Sequence, residues 1–124
     1  MPPSPTTDQA PLTAPVFQIL LSLVDADLHG YALIQDIRDR TDGEVSLTAS
    51  TLYSAIKRLV AADLIEEVTP RRSADDDPRR RYYAITALGR TTLRAEAARL
   101  ERLTTMARKK KLLPALRTAS AKER

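Results

Sequence analysis

Ser50, Thr51 and Ser54 put three hydroxyls at the front of the amphipathic segment 48–59, and Lys57 and Arg58 put two cations one to two turns farther on. Farther along, Arg79, Arg80 and Arg81 open a β-compatible run that ends at Thr86. This chemistry is recognition, not bond-breaking. Small polar donors at a helix start approach base edges in a major groove, and cations beside them meet phosphates. Tyr53 has two readings: a hydroxyl donated to phosphate, or a ring packed on the core with a wet tip. Lys57 and Arg58 also have a bland reading as a solvated helix face. Five arginines (Arg71, Arg72, Arg79, Arg80 and Arg81) surround one turn, and Asp75, Asp76 and Asp77 between them partly cancel their field. Strand alternation puts Arg81, Tyr83 and Ile85 on one face and Arg80, Tyr82 and Ala84 on the other. Arg79 and Arg80 are therefore the better candidates for phosphate.

Catalytic chemistry is poorly provided for. The chain has one histidine, no cysteine, no Gly-rich phosphate loop and no metal-ligand spacing. The Asp75–Asp77 run is flanked by arginines, which disfavour a dication. No catalytic residue, metal site or cofactor is expected, and His29 reads as a helix-start residue.

The elements that must position these side chains follow from periodicity. Val16, Phe17, Ile19, Leu20, Leu23 and Val24 predict a helix over about 14–24. Residues 25–29 interrupt the pattern. A second helix is expected over 30–40 with Leu33, Ile34 and Ile37 inward, stopped by Asp42-Gly43. Thr48 is a good N-cap for the third, able to accept from the amide of Ser50 or Thr51, with Leu52, Ile56, Leu59 and Val60 as its buried stripe. Residues 64–70 and 80–86 read as a hairpin with an irregular tip. A long helix is predicted over 87–113, ended by Pro114. The fold class is mainly α (α+β): a winged helix-turn-helix with a two-stranded wing and a long C-terminal dimerisation helix. The expected organisation is a flexible N-terminal arm (1–13), a DNA-binding domain (14–86), the dimerisation helix (87–113) and a basic tail (114–124).

Composition agrees with one small helical domain. The chain has 124 residues, 43% hydrophobic but only 4% aromatic, and a formal net charge of +4. That excess is modest, so the placement of charge carries more than its total. The absence of cysteine suits a reducing compartment. With neither a signal-peptide pattern at the start nor an apolar run long enough to span a bilayer, a cytoplasmic protein without membrane contact is expected.

Leu93, Leu100 and Ala107 are spaced by seven, with Ala97 and Leu103 on nearly the same face. Heptad-like spacing of this kind favours a shallow crossing against a second copy, so homodimerisation is expected. The alternative is packing of the stripe on its own domain. Double-stranded DNA is the expected partner, against the alternative of a winged-helix interaction scaffold that does not touch DNA.

His29-Gly30-Tyr31, Thr51-Leu52-Tyr53, Leu64-Ile65 and the run from Arg80 to Thr86 followed by Gly89 resemble the PadR family of transcriptional regulators in order and spacing, over most of the chain. The single C-terminal helix looks like the shorter subfamily. The resemblance implies a winged helix-turn-helix dimer joined through its C-terminal helices, usually a repressor, with an inverted-repeat operator of ATGT and ACAT-like half-sites. It puts Tyr31, Thr51, Tyr53 and Lys57 near the DNA backbone and groove. Two departures stand out: Ala49-Ser50 where the family often has Pro-Gly, and the Asp triplet. Some family members bind flat small-molecule effectors between protomers through aromatics of the dimer helix. Here no aromatic follows Tyr83, which excludes stacking by that helix and leaves Phe17 as the ring available to line such a pocket.

Overall fold

Thr13, His29, Thr48 and Thr86 stand in extended backbone, and each side chain accepts a hydrogen bond from an amide in the helix that follows. Each supplies one of the acceptors that the first turn of a helix lacks, which fixes where the four helices begin. The computed structural model describes residues 11–69 and 79–116. In order, the elements are α1 (Ala14–Leu23), β1 (Leu28–His29), α2 (Gly30–Arg40), α3 (Ala49–Ala61), β2 (Ile65–Val68), β3 (Tyr82–Ile85) and α4 (Ala87–Lys109). No helix among the described residues is long and apolar enough to cross a membrane.

Three helices end in the same way. Asp42, Asp63 and Lys111 take left-handed backbone, and the next residue's amide reaches back to a carbonyl in the last turn: Gly43 to Arg38, Leu64 to Leu59 and Leu112 to Ala107. This closure satisfies carbonyls the helix would otherwise leave open. It explains why α4 ends at Lys109 and not at the expected Leu113. The chain turns at Lys111, before Pro114 can act.

The core joins Ile19, Leu20 and Leu23 of α1, Leu33 and Ile37 of α2, Leu52, Ala55, Ile56 and Leu59 of α3, with Ile65, Tyr83 and Leu93. Val60 was expected in that stripe but is 39% exposed, and Ala55 holds the inward position. The set 52, 55, 56, 59 is one face at helical spacing, and residue 60 turns away from it. The polar side of the α1–α2 contact is a small network. The buried Ser22 hydroxyl donates to Asp36 (2.6 Å) and accepts from Arg40, which also donates to the Gln18 side chain and to its carbonyl (3.2 Å).

The winged-helix sheet has a third strand. β3 lies between β2 and the two-residue β1, with Leu28 opposite Tyr83 and His29 opposite Tyr82. Residues 25–29, which break the helical period, thus include the strand that ties α2 to the wing. β2 and β3 pair antiparallel from Ile65–Ile85 to Val68–Tyr82, shorter than the expected 64–70 and 80–86. Residues 70–78 between them, with Arg71, Arg72 and the Asp triplet, lie outside the described residues, as do 1–10 and 117–124.

The first turns of α4 belong to this core: Gly89, Thr92, Leu93 and Glu96 are buried. Glu96 accepts two bonds from Arg99, at 2.8 and 2.6 Å. Those bonds hold its carboxyl below the usual range against the opposing effect of burial, helped by the Arg99 charge and the Leu12 backbone. A carboxylate with a lowered folded-state pKa adds stability above the ordinary pKa and loses it as pH falls through the lowered one. Glu96→Gln should therefore melt a few degrees below the parent at neutral pH. The gap should close on acidification below the ordinary carboxylate range, as followed by thermal denaturation across pH. A gap that stays constant with pH would contradict this account.

Candidate nucleic-acid interface

The hydroxyl-bearing face of α3 is turned to solvent. Leu52, Ala55, Ile56 and Leu59 are buried, which leaves Ser50, Thr51, Ser54, Lys57 and Arg58 outside. Positions 50, 54 and 57 are neighbours on the helix surface, as are 51, 54 and 58. Thr51 has a second duty. Its amide donates to the Thr48 hydroxyl at 3.1 Å, and its own hydroxyl lies 3.0 Å away as acceptor from Thr48. The Thr51 side chain is thus pinned at the helix start with its own proton left to give.

Beside this face lies an open cleft of about 450 Å³ whose walls include His29, Tyr31, Tyr53, Arg79 and Arg80. It brings together three separate stretches of sequence. Tyr31 and Tyr53 are both exposed, and the Tyr31 hydroxyl accepts from Gln35 Nε2 at 2.9 Å. Tyr53 is 49% exposed, yet its hydroxyl end lies against the buried Gly30, so the ring both packs and lines the cleft. Gly30 makes the cleft possible: a Cβ there would run into the Tyr53 hydroxyl, come within 2.8 Å of Tyr53 Cζ and within 3.3 Å of Leu52 Cδ2.

Arg79, Arg80 and Arg81 precede β3 and do not form part of it. Strand alternation therefore says nothing about their directions. All three line the cleft; Arg80 Nη1 lies 3.2 Å from His29 Nε2, and Arg81 also pairs with Glu67 at 3.4 Å. That pair is well exposed and worth little to stability, but it turns the Arg81 charge toward β2. Sequence reasoning did not place His29 in the cleft. The available signal was an acceptor side chain directly before a helix-starting glycine.

The dimerisation candidates divide between two environments. Leu93 is 6% exposed and packed in the domain's own core, so for it the self-packing alternative holds. Its stripe continues seven residues on at Leu100 (37% exposed) and then at Leu103 (45%), with Ala107 half-buried. Ala97 is exposed beside that line.

Residues 19–95 match the model of the transcriptional regulator PadR-like family. An uncharacterized protein from Lysinibacillus sphaericus is 33% identical over 75 residues, 60% of this chain and 67% of its own length. A transcriptional regulator from Clostridium thermocellum has a similar structure, with TM-score 0.66, 28% identity and coverage of 77% of this chain and 87% of that one. A PadR family regulator from Eggerthella lenta gives TM-score 0.61, 27% identity and 82% of each chain. The relatives of known class are transcriptional regulators, not enzymes, and their fold is similar: the chain belongs to the PadR-like family of transcriptional regulators.

Proposed function

We propose that the protein is a homodimeric, sequence-specific DNA-binding repressor acting in the cytoplasm. The observation that carries the reading is the exposed Ser50, Thr51, Ser54 and Lys57 face of α3, set beside a cleft that holds Tyr31, Tyr53 and Arg80. α3 enters a major groove with its hydroxyls toward base edges, while Lys57, Arg58, Arg79 and Arg80 meet phosphates on either side. Two copies joined along α4 present two such helices, so the operator is an inverted repeat with half-sites about one turn of duplex, 10 bp, or a multiple of it apart. Repression asks only that the occupied site overlap a promoter.

The test is selection of bound duplexes by the full chain, followed by footprinting and salt titration. A symmetric footprint is expected. Lys57→Ala should weaken operator and scrambled duplexes alike and lower the salt slope of the dimer by about 1.8, from roughly 0.9 per neutralised phosphate. Ser50→Ala or Thr51→Val should instead change base preference by about 1–3 kcal/mol per position and leave the slope in place. Failure to enrich any duplex would leave a dimeric scaffold as the better reading.

A further inference from the structure

Tyr31 is 61% exposed, and a side chain so placed on a helix surface ordinarily samples several rotamers. Here it is tethered. Gln35, one turn farther along α2, donates from Nε2 to the Tyr31 hydroxyl at 2.9 Å. Leu33 and Ile37 take the core side of the helix, so Tyr31 and Gln35 form a pair on its outer side at i, i+4 spacing. An exposed pair of this kind contributes little to the stability of a helix. Its consequence lies in what it does to the hydroxyl.

The direction of the bond decides the chemistry. A phenolic oxygen can accept, and it carries one proton of its own. That O–H lies in the plane of the ring, on one side or the other. With the Gln35 amide donating on one side, the proton goes to the other, and the hydroxyl is committed as a donor there. Gln35 stands toward the C-terminal end of α2, whereas His29 and Gly30, at its N-terminal end, line the cleft with Tyr31. The side away from Gln35 is therefore the cleft side. Accepting from an amide also polarises the O–H and strengthens the bond it gives. Gln35 itself does not line the cleft, so it acts there through Tyr31.

We infer that Gln35 is a positioning residue for DNA: it holds the Tyr31 hydroxyl as a donor on the cleft side, where the proton meets a phosphate oxygen of the backbone. The inference rests on the DNA-binding reading above and adds to it a residue that touches no DNA. A phosphate oxygen only accepts, so a hydroxyl that gave its proton elsewhere would present lone pairs to it and make no bond. A hydroxyl already aimed loses less freedom on binding. The contact is neutral and adds affinity without releasing counterions.

The experiment titrates the full-length protein onto its selected operator over a range of salt. The variants are Gln35→Met, Gln35→Glu and Gln35→Lys, each alone and combined with Tyr31→Phe. Thermal denaturation should leave all of them close to the parent, because the pair is exposed. Tyr31→Phe should bind about tenfold more weakly, from the loss of a hydrogen bond to a charged group, with its salt slope unchanged. Gln35→Met should weaken binding roughly threefold to fivefold, from the loss of a neutral hydrogen bond, and should have no effect once Tyr31→Phe is in place. A carboxylate at position 35 accepts only and takes the Tyr31 proton. The Gln35→Glu loss should therefore be about tenfold larger with Tyr31 than in the Tyr31→Phe background, and comparing the two backgrounds removes the repulsion between the new charge and DNA. Gln35→Lys donates as the amide does and should keep the Tyr31→Phe loss at its parental size. If Gln35→Met weakens binding equally in both backgrounds, Gln35 acts on the fold or touches DNA itself, and the inference is overturned. A Gln35→Glu loss of one size in both backgrounds would mean that the Tyr31 proton already goes to residue 35, and overturns it as well. If the parent binds its operator and Tyr31→Phe binds equally well, the hydroxyl meets no phosphate: the inference is wrong and DNA binding stands. If the parent binds no duplex, both fall.

Discussion

Leu100→Asp is expected to leave the protein monomeric at micromolar concentration and to lower operator affinity by several orders of magnitude. Leu100, Leu103 and Met106 are 37%, 45% and 59% exposed along one side of α4, on a helix that leaves its domain after Glu96. In a two-fold pair each of these side chains is buried twice, and full burial of a leucine contributes roughly 1.5–3 kcal/mol. An aspartate at position 100 would replace part of that gain with a desolvated charge on each side of the axis. A protomer held at one half-site keeps little of the discrimination of a dimer. Specific complexes near 10⁻⁸–10⁻¹¹ M would slide toward the roughly 10⁻⁴–10⁻⁶ M of nonspecific binding. Sedimentation and operator titration of the same samples check both halves. A parent that sediments as a monomer at tens of micromolar would end the dimer reading, whatever the variant does.

The frame was legible because its signals are local and strong. Thr48 before α3, the 52–56–59 apolar spacing and Asp42-Gly43 name their elements without reference to the rest of the chain. What stayed hidden depended on contacts distant in sequence. β1 is two residues long and exists because Leu28 and His29 find Tyr83 and Tyr82, more than fifty residues on, and no periodicity announces a strand of that length. The role of His29 is of the same kind. Position shows the cap, but the approach to Arg80 emerges only when the wing is folded back. Leu93 shows the limit of pattern reading along α4. The same heptad line is core at position 93 and solvent-facing at Leu100 and Leu103, and only the size of the domain beneath it decides where the change falls. Arg80 and Arg81 were given strand directions they do not have, because the pairing of β3 starts at Tyr82.

Gly89→Ala should be the most damaging conservative change in the chain, and its cause lies at a junction. Thr86 caps α4 by accepting from the Gly89 amide at 2.9 Å, and its own hydroxyl donates to the Asp63 carbonyl at 2.6 Å. The Thr86 amide donates to the Leu64 carbonyl at 3.1 Å. The turn after α3 and the start of α4 are therefore clasped backbone to backbone. A Cβ on residue 89 would strike the Leu64 carbonyl oxygen and lie 2.8 Å from Ile85 Cγ1. A carbonyl in a hydrogen-bonded turn cannot rotate away as a side chain can, so α4 itself would have to shift. Overpacking costs about 1–3 kcal/mol and a disturbed cap about 0.5–2, offset by roughly 1 kcal/mol from the better helix propensity of alanine. A net loss of about 2 kcal/mol corresponds to a melting point lower by about 8–16 °C in a domain of this size. The shift also has a functional consequence under the dimer reading. α4 sets the distance between the two α3 helices, so a tilt at its root is magnified at the operator. Gly89→Ala should therefore lose operator affinity even at temperatures where it is fully folded, and lose more on the native half-site spacing than on duplexes with the spacing changed by a base pair. Calorimetry together with binding to a spacing series checks this. A variant that melts with the parent would show that the Leu64 turn yields, and that α4 is not held at this point.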